Sequence, residues 1–420
     1  MDFRTLPPPS SVRPPLLTPR LLALMAVGSG LSVASNYYVQ PLLDLFVRSF
    51  GVSPAHAGLM VTLSQVSYLA GLVFLVPLGD WLERRRLLTL TSAITACGLA
   101  GMGLAPGFAW LTAFAALVGL TSVTAQIIVP LAAHLSEPDR RGRSVSTVMS
   151  GLLIGILAAR TFAGLIAEFA GWRAVYLIAA VLMALFSIAC RRWLPRIEPT
   201  SSGSYWGLLG SVIQLFRQEA VLRRRGLVGA LSFCSFSVFW TSMAFMLAQR
   251  HGFGEGVIGL FGLIGVVGAL CARFAGRLAD AGWARVSTGA FLLLLLGSWS
   301  LLYLGQTSVP ALVVGVVLLD LGAQGTHISN QSEIYRLDAK ARSRLTTGYM
   351  SSYFLGGAVG SALSVAGWGA SGWLGVCVAG VLPVVAALLV WAAGEFRWPL
   401  GRMRQLGADD GAPPVPVARD

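Results

Sequence analysis

Four polar residues, Asp320, Gln324, His327 and Gln331, are spaced 4, 3 and 4 positions apart in an otherwise apolar stretch. This spacing places them on one face of a helix. At a rise of 1.5 Å per residue, Asp320 and His327 would lie about 10 Å apart along the helix axis. A carboxyl group and an imidazole are side chains that accept and release protons. The pattern therefore predicts proton chemistry, with Asp320 as the acid and with His327 and Gln324 relaying or orienting.

Arg160 is a second charged residue inside an apolar stretch. Such a residue costs roughly 2.5–3.5 kcal/mol at the centre of a membrane-spanning helix, so it must face protein or a water-filled cavity. We expect Arg160 either to favour the ionised form of Asp320 or to hold an anionic group of a ligand. A purely structural ion pair between Arg160 and Asp320 is the alternative interpretation.

Polar and aromatic side chains recur on several other apolar stretches and suggest a binding pocket. Polar groups with aromatic walls are typical of a site for an amphipathic organic molecule. For any single aromatic residue, packing against lipid is an equally good explanation. The predicted binding residues are Asn36, Tyr37, Gln40, Gln65, Gln126, Arg160, Phe236, Trp240, Gln324 and Tyr353.

The elements that must position these residues are membrane helices. The 420 residues are 55% hydrophobic and 12% charged, against roughly 25% charged residues in soluble domains. A bilayer core of about 30 Å needs roughly 20 apolar residues per helix. We therefore predict an all-α polytopic membrane protein with spans near 21–43, 56–79, 87–105, 109–133, 144–168, 172–194, 226–249, 257–279, 284–305, 309–331, 343–367 and 371–393.

Basic residues indicate the topology and the domain limits. Nearly all of the 31 basic residues fall on one side of the predicted spans, while Arg48, Arg173 and Arg250 fall on the other. The positive-inside rule then places both termini in the cytoplasm. The predicted segments are a disordered tail at 1–19, six-helix bundles at 20–194 and 226–394, a linker with an amphipathic piece at 195–225, and a tail at 395–420.

The two bundles are predicted to be repeats, because similar residues recur at an offset of 201. Gly155 matches Gly356, and Gly171-Trp172 matches Gly372-Trp373. Both halves also contain Leu-x-Asp followed by basic residues, at Asp80 with Arg84 and Arg85 and again at Asp280. An Asp at a span end can receive a helix N-terminus or an arginine, which would form a conformational latch. An ordinary solvated charge at the membrane border is the alternative.

Other functional classes lack their signatures. A P-loop needs Gly-Lys-[Ser/Thr], and the only lysine is Lys340. The four histidines form no HExxH, and the five cysteines lack ligand spacing. We therefore expect no enzyme activity, metal or cofactor. The net charge of +13 fits topology and anionic lipid better than nucleic acid.

Twelve spans in a six-plus-six repeat, with Leu-x-Asp and basic residues after the second and eighth spans, resemble the major facilitator superfamily. Within it, residues 36–86 and the segment Ala158-Ala159-Arg160-Thr161 resemble bacterial drug/proton antiporter-type efflux permeases. The resemblance implies a monomeric secondary transporter that works by alternating access, with a small organic substrate and protons as its partners. It favours proton-coupled efflux. The alternatives are proton-coupled uptake of an organic anion held by Arg160, and a non-transporting membrane sensor on the same scaffold.

Overall fold

The computed structural model describes residues 17–196, 205–265, 284–337 and 342–409, and no strand occurs in these ranges. A single 3₁₀ turn, Pro138–Arg140, precedes α8. The helices in chain order are α1 (Pro19–Tyr37), α2 (Val39–Phe50), α3 (Pro54–Phe74), α4 (Leu78–Trp81), α5 (Arg84–Gly103), α6 (Phe108–Thr121), α7 (Thr124–Leu135), α8 (Arg141–Trp193), α9 (Tyr205–Gln218), α10 (Ala220–His251), α11 (Glu255–Gly265), α12 (Ala284–Leu304), α13 (Val309–Tyr335) and α14 (Arg342–Asp409).

These helices fit the twelve predicted spans. In the described ranges, 8 stretches are long and apolar enough to cross a membrane, with α1–α2 and α6–α7 each forming one of them. Two of the 8, α8 and α14, are more than twice the length of a single span and turn back at internal glycines. Helix α5 supplies the third span. Helix α11 begins the eighth, whose continuation lies outside the described residues.

Four glycines confirm the repeat in the backbone itself. Gly171 (φ 78°) breaks α8, and Gly372 (φ 61°) breaks α14 at the position 201 residues later. Gly51 (φ 63°) and Gly252 (φ 66°) end α2 and α10, again 201 residues apart. Positive φ is a region that glycine adopts without a steric cost. Both repeats therefore use glycine to make the same turns.

The first span is broken next to a predicted binding residue. Pro41 has no N–H, so it cannot donate to the carbonyl of Tyr37 four residues earlier. Helix α1 ends at Tyr37 and α2 begins at Val39, with Tyr38 between them. The break lies within one turn of Gln40. This places the side chains of Tyr37 and Gln40 at an irregular point of the span, where they can turn toward a partner.

A similar break interrupts the fourth span between α6 and α7. The backbone N–H of Gln126 donates to the carbonyl of Val123, which leaves the carbonyl of Ser122 without its usual helical donor. The hydroxyl of Ser32 on α1 donates to that carbonyl at 2.7 Å. In a membrane such a freed carbonyl needs a partner from the protein. The Ser32 contact thus stabilises the break beside Gln126.

The chain forms two compact units, and each combines residues from both repeats. Unit 1 comprises residues 1–51, 63–209 and 254–262, and unit 2 comprises residues 52–62, 210–253 and 263–420. The units therefore differ from the sequential bundles 20–194 and 226–394 at two short segments, 254–262 and 52–62. At the offset of 201, these two segments correspond to each other.

In unit 1, segment 254–262 packs closely on α8. A Cβ on Gly164 would lie 2.7 Å from the Cα of Gly259. The hydroxyl of Thr161 donates to the carbonyl of Gly259 at 3.1 Å. At the start of α11, Glu255 forms an ion pair with Arg48 of α2 at 2.7 Å. These contacts explain why the segment belongs to unit 1.

In unit 2, segment 52–62 packs on α14 at positions equivalent to those of the crossing in unit 1. A Cβ on Gly58 would overlap the side chain of Val365 on α14, and the positions equivalent to Gly58 and Val365 are Gly259 and Gly164. The hydroxyl of Ser361 donates to that of Thr62 at 2.8 Å. The same helix crossing is therefore built once in each unit.

Parts of the predicted organisation lie outside the described residues. These are residues 1–16 of the N-terminal tail, residues 197–204 of the linker, and Asp280. Helix α9 coincides with the expected amphipathic segment, and Trp206 and Ile213 on it are 72% and 57% exposed. Helix α14 ends at Asp409, so the helix extends into the segment assigned to the C-terminal tail.

The glycine turns give a direct prediction. Gly171→Ala and Gly372→Ala should each destabilise the protein by about 1–3 kcal/mol, because alanine is strained at their backbone angles. Gly142→Ala and Gly369→Ala are matched controls, since a Cβ at any of these four positions meets no atom within 4 Å. The controls should leave stability unchanged or raise it. Thermal melting in detergent measures the effect, and equal melting shifts at turn and control positions would contradict the explanation.

Candidate binding and proton-transfer sites in the two units

In unit 1, Arg160 on α8 is a deeply buried charge. Its side chain is 2% exposed, and its Nε donates to Oε1 of Gln40 at 2.7 Å. The guanidinium carbon lies 4.9 Å from the ring centroid of Tyr37, which is within the range of a cation–π contact. The break between α1 and α2 brings Tyr37 and Gln40 to this position. Three of the predicted binding residues are therefore in contact with one another.

Three further predicted residues of unit 1, Asn36, Gln65 and Gln126, lie on α1, α3 and α7. A side-chain hydrogen bond joins Gln126 to Tyr68, which is 4% exposed. Asn36 and Gln65 are partly exposed on α1 and α3. The polar side chains of this unit are thus carried by several different helices, as expected for a wall that a solute contacts at several points.

In unit 2, Asp320 is a buried charge in the middle of α13. The carboxylate is 5% exposed and accepts a hydrogen bond from the indole N–H of Trp240 at 3.3 Å. Trp240 itself is fully buried on α10. The indole N–H of Trp240 therefore supplies a hydrogen-bond donor to a carboxylate that lies inside the span.

Aromatic rings of α10 and α14 form a continuous cluster beside this pair. The centroids of Phe236 and Trp240 are 6.0 Å apart, and those of Phe233 and Phe236 are 5.6 Å apart. Phe233 stacks on Tyr353 at 4.0 Å, and Tyr353 lies 4.5 Å from the ring of His327. The predicted residues Phe236, Trp240 and Tyr353 are therefore members of one buried aromatic cluster. It ends at Asp320 on one side and at His327 on the other.

The polar side chains on α13 include residues that the sequence analysis did not indicate. Nδ1 of His327 lies 3.0 Å from the hydroxyl of Tyr349, and a side-chain hydrogen bond joins Tyr349 to Asn330. Nη1 of Arg225 donates to Oδ1 of Asn330 at 3.4 Å, and Nη2 lies 3.9 Å from Glu333. A chain of hydrogen bonds and one ion pair thus connects His327 to Glu333 near the end of α13.

Arg225, Asn330 and Glu333 were not among the residues predicted from the sequence. The prediction placed Arg225 in a solvated linker, whereas it is 1% exposed within α10. The available signal was the helical spacing, since Asn330 and Glu333 follow His327 by 3 and 6 positions. Gln324 lies partly exposed on the same helix.

The repeat offset shows which site residues the scaffold does not require. Asp320 corresponds to Gly119 in the first repeat, where a Cβ would overlap the backbone of Ser64. Arg160 corresponds to Ser361 in the second repeat. Each buried charge therefore replaces a small neutral residue at the equivalent position of the other repeat.

The predicted latch is described only in part. Nε of Arg84 donates to the carbonyl of Gly79 at 2.9 Å and Nη1 of Arg85 to the carbonyl of Leu194 at 3.5 Å. The side chain of Asp80 and all of Asp280 lie outside the described structure. These contacts join the first turn of α5 to α4 and to the end of α8, and the latch itself stays a prediction.

The contact between Arg160 and Gln40 can be tested by substitution. Gln40→Ala should lower stability by about 1–3 kcal/mol, because it removes the acceptor of a buried charged group. Adding Arg160→Ala should cost less than the sum of the two single changes, since the charge is then gone as well. Ser35→Ala is the control, because that hydroxyl donates only within its own helix, to Leu31. Additive melting shifts for Gln40 and Arg160 would contradict the pairing.

Comparison with known proteins agrees with this fold. Residues 25–337 match the Major Facilitator Superfamily. The chain is 51% identical over 382 residues to "Uncharacterized transporter YgaY" of Escherichia coli O157:H7, covering 91% of this chain and 97% of that protein. It is 34% identical over 385 residues to "Probable transporter SCO4007" of Streptomyces coelicolor, covering 90% and 87%.

A solved structure shares the fold at low sequence identity. It is a bacterial homolog of the human lysosomal transporter Spinster, in an inward-facing and occupied conformation. The TM-score is 0.70 at 15% identity, covering 91% of this chain and 96% of that one. The twelve-helix membrane fold is thereby confirmed, and the relatives indicate a transporter and not an enzyme. This chain belongs to the Major Facilitator Superfamily.

Proposed function

We propose that this transporter exports a small organic solute from the cytoplasm by exchanging it for protons through alternating access. Proton entry supplies about 2.3 kcal/mol per charge for each 100 mV of membrane potential. Asp320 is the proposed coupling acid, which accepts a proton from the outer side and releases it to the inner side. Gln324 and His327 orient or relay the proton.

The proposal rests on the environment of the Asp320 side chain. The carboxylate is buried, accepts from the neutral Trp240 indole and ends an aromatic surface. An ionisable group at this depth is costly, so a functional role is the default interpretation. The equivalent Gly119 indicates that the fold does not need an acid at this position. A group that can be neutral or charged beside a binding surface is what proton coupling requires.

The aromatic cluster supports an amphipathic organic substrate. Phe233, Phe236, Trp240 and Tyr353 offer ring faces and edges, and Asp320 and His327 offer polar groups at the two ends. Rings of this kind contribute large apolar contact areas. In unit 1, Asn36, Tyr37, Gln40, Gln65 and Gln126 add polar contacts.

The proposal also covers the orientation of the protein in the membrane and its change of conformation during transport. The one-sided distribution of the arginines supports the bacterial inner membrane with both termini in the cytoplasm. Asp80, Arg84, Arg85 and Asp280 form the proposed conformational latch. The protein acts as a monomer in this proposal.

A second candidate is proton-coupled uptake of an organic anion. It is favoured by the buried guanidinium of Arg160 beside the ring of Tyr37. An anionic group of a solute could replace Gln40 as the acceptor of the Arg160 N–H. Arginine suits this role, because its planar fork binds a carboxylate with two parallel hydrogen bonds. Accumulation of anions, and not of neutral or cationic compounds, would favour this candidate.

Asp320→Asn tests the proposal most specifically. Everted membrane vesicles that contain the protein are energised and screened with a panel of fluorescent organic compounds. With any compound that the wild type moves, Asp320→Asn should reduce proton-driven transport by roughly a hundredfold, the low end of what losing a proton-transferring group costs. Counterflow exchange of the same compound should persist, because the amide keeps the shape of the carboxyl group.

Asp139→Asn is the matched control, since Asp139 lies exposed in the turn before α8. It should leave both activities unchanged. If Asp320→Asn retains its response to the pH gradient, Asp320 has no part in coupling. If it fails to express and Arg160→Gln restores expression, its role is structural. Folded wild-type protein that moves no compound in the panel would favour the sensor alternative.

A further inference from the structure

An apolar groove runs along unit 1 between α1 and the first half of α8. Its volume is about 600 Å³. The floor consists of small residues, including Ala23, Gly30 and Ala158, and the rims carry Val27 and Ile154. Val27 and Ile154 are 58% and 64% exposed. Along α1 the groove extends from Ala23 to Tyr38, which is about 22 Å at 1.5 Å per residue.

The small residues let the two helices run parallel and in register. A Cβ on Gly151 would overlap the backbone of Ala26, and a Cβ on Gly155 would overlap the backbone of Gly30. Both contacts advance by four residues on each helix, so α1 and the first half of α8 point the same way. The N-terminal ends of these two helices therefore lie at the same end of the groove.

Two arginines stand at that end. Arg20 is in the first turn of α1, Arg143 is in the first turn of α8, and both are exposed. Because Gly151 is level with Ala26 and Gly155 with Gly30, Arg20 and Arg143 differ in height along the helix axes by about half a turn. The exposed Thr147 lies one turn above Arg143 on the groove wall. The groove thus joins a positively charged, polar mouth to an apolar interior.

The second repeat has no equivalent floor. Ala26 and Gly30 correspond to Leu227 and Leu231, and Ala23 corresponds to Arg224. The crossing there uses Ala230 and Cys234 in its place, since a Cβ on Gly356 or Gly360 would overlap their backbones. The fold therefore does not require the groove. As with the buried charges, the feature belongs to one repeat alone.

We propose that this groove binds one acyl chain of an anionic phospholipid, whose phosphate lies between Arg20 and Arg143. An extended chain fits a groove that is longer than half of the roughly 30 Å hydrocarbon core. Its occupation covers the exposed apolar rims. Each arginine near a membrane surface attracts anionic lipid by about 1 kcal/mol. The bound lipid comes from the leaflet that meets the N-terminal ends of α1 and α8.

Native mass spectrometry of the detergent-solubilised protein tests the proposal. Phosphatidylglycerol is titrated as the anionic lipid and phosphatidylcholine as the zwitterionic one. Arg20→Gln with Arg143→Gln should weaken retention of phosphatidylglycerol on the order of ten- to thirtyfold and leave phosphatidylcholine unchanged. Ala23→Leu with Ala158→Leu fills the groove at two exposed positions and should weaken retention of both lipids.

The controls make equal changes elsewhere. Arg217→Gln with Arg344→Gln removes two exposed charges from unit 2, and Ala113→Leu with Ala393→Leu enlarges two exposed alanines outside the groove. Both control proteins should retain lipid as the wild type does. If the unit 2 arginine variant loses as much phosphatidylglycerol as the Arg20/Arg143 variant, the effect is general surface charge and the site is wrong. Unchanged retention in the groove-filled variant would equally overturn the proposal.

Discussion

The constraint on which this structure depends is that its solvent is lipid, so every buried polar group must find its partner inside the protein. Hydrocarbon offers no hydrogen bond to compensate a missing one. The buried charges of Arg160, Asp320 and Arg225 each have hydrogen-bond partners within their own unit. Arg160 donates to Gln40, Asp320 accepts from Trp240, and Arg225 donates to Thr288 and Asn330.

Residues that shape the backbone and residues that carry buried charge are distributed differently between the two repeats. Features that shape the backbone recur at an offset of 201, among them the positive-φ glycines Gly51 and Gly252 and the helix crossings at Gly58 and Gly259. The buried charges of Arg160 and Asp320 do not recur, since the equivalent residues are Ser361 and Gly119. A duplicated scaffold can hold its own helices by repeating small residues. In the proposed function, the residues that break the repeat distinguish the two sides of the transporter.

Much of this organisation was predictable from the sequence, because membrane helices follow local rules. Apolar length predicted the spans, and the limits of the predicted spans placed turns close to Gly171 and Gly372, where α8 and α14 break. The partners of the charges were not predictable, because Gln40 and Trp240 become neighbours of Arg160 and Asp320 only through helix packing. Arg225 was missed because it falls in the predicted linker, and a cluster of arginines next to a span is typical of solvated residues. The exchange of segments 52–62 and 254–262 between the units also arises from tertiary contacts and leaves no local pattern.

The central claim is that Asp320 changes its protonation state during function. Infrared difference spectroscopy of the protein in lipid bilayers measures this directly, because a buried protonated carboxyl group has its own carbonyl stretching band. A pH change across the working range should produce a difference band in the wild type that is absent from Asp320→Asn and retained in Asp139→Asn. The same band in wild type and Asp320→Asn would show that another carboxyl group titrates, and it would contradict the assignment of Asp320 as the coupling acid.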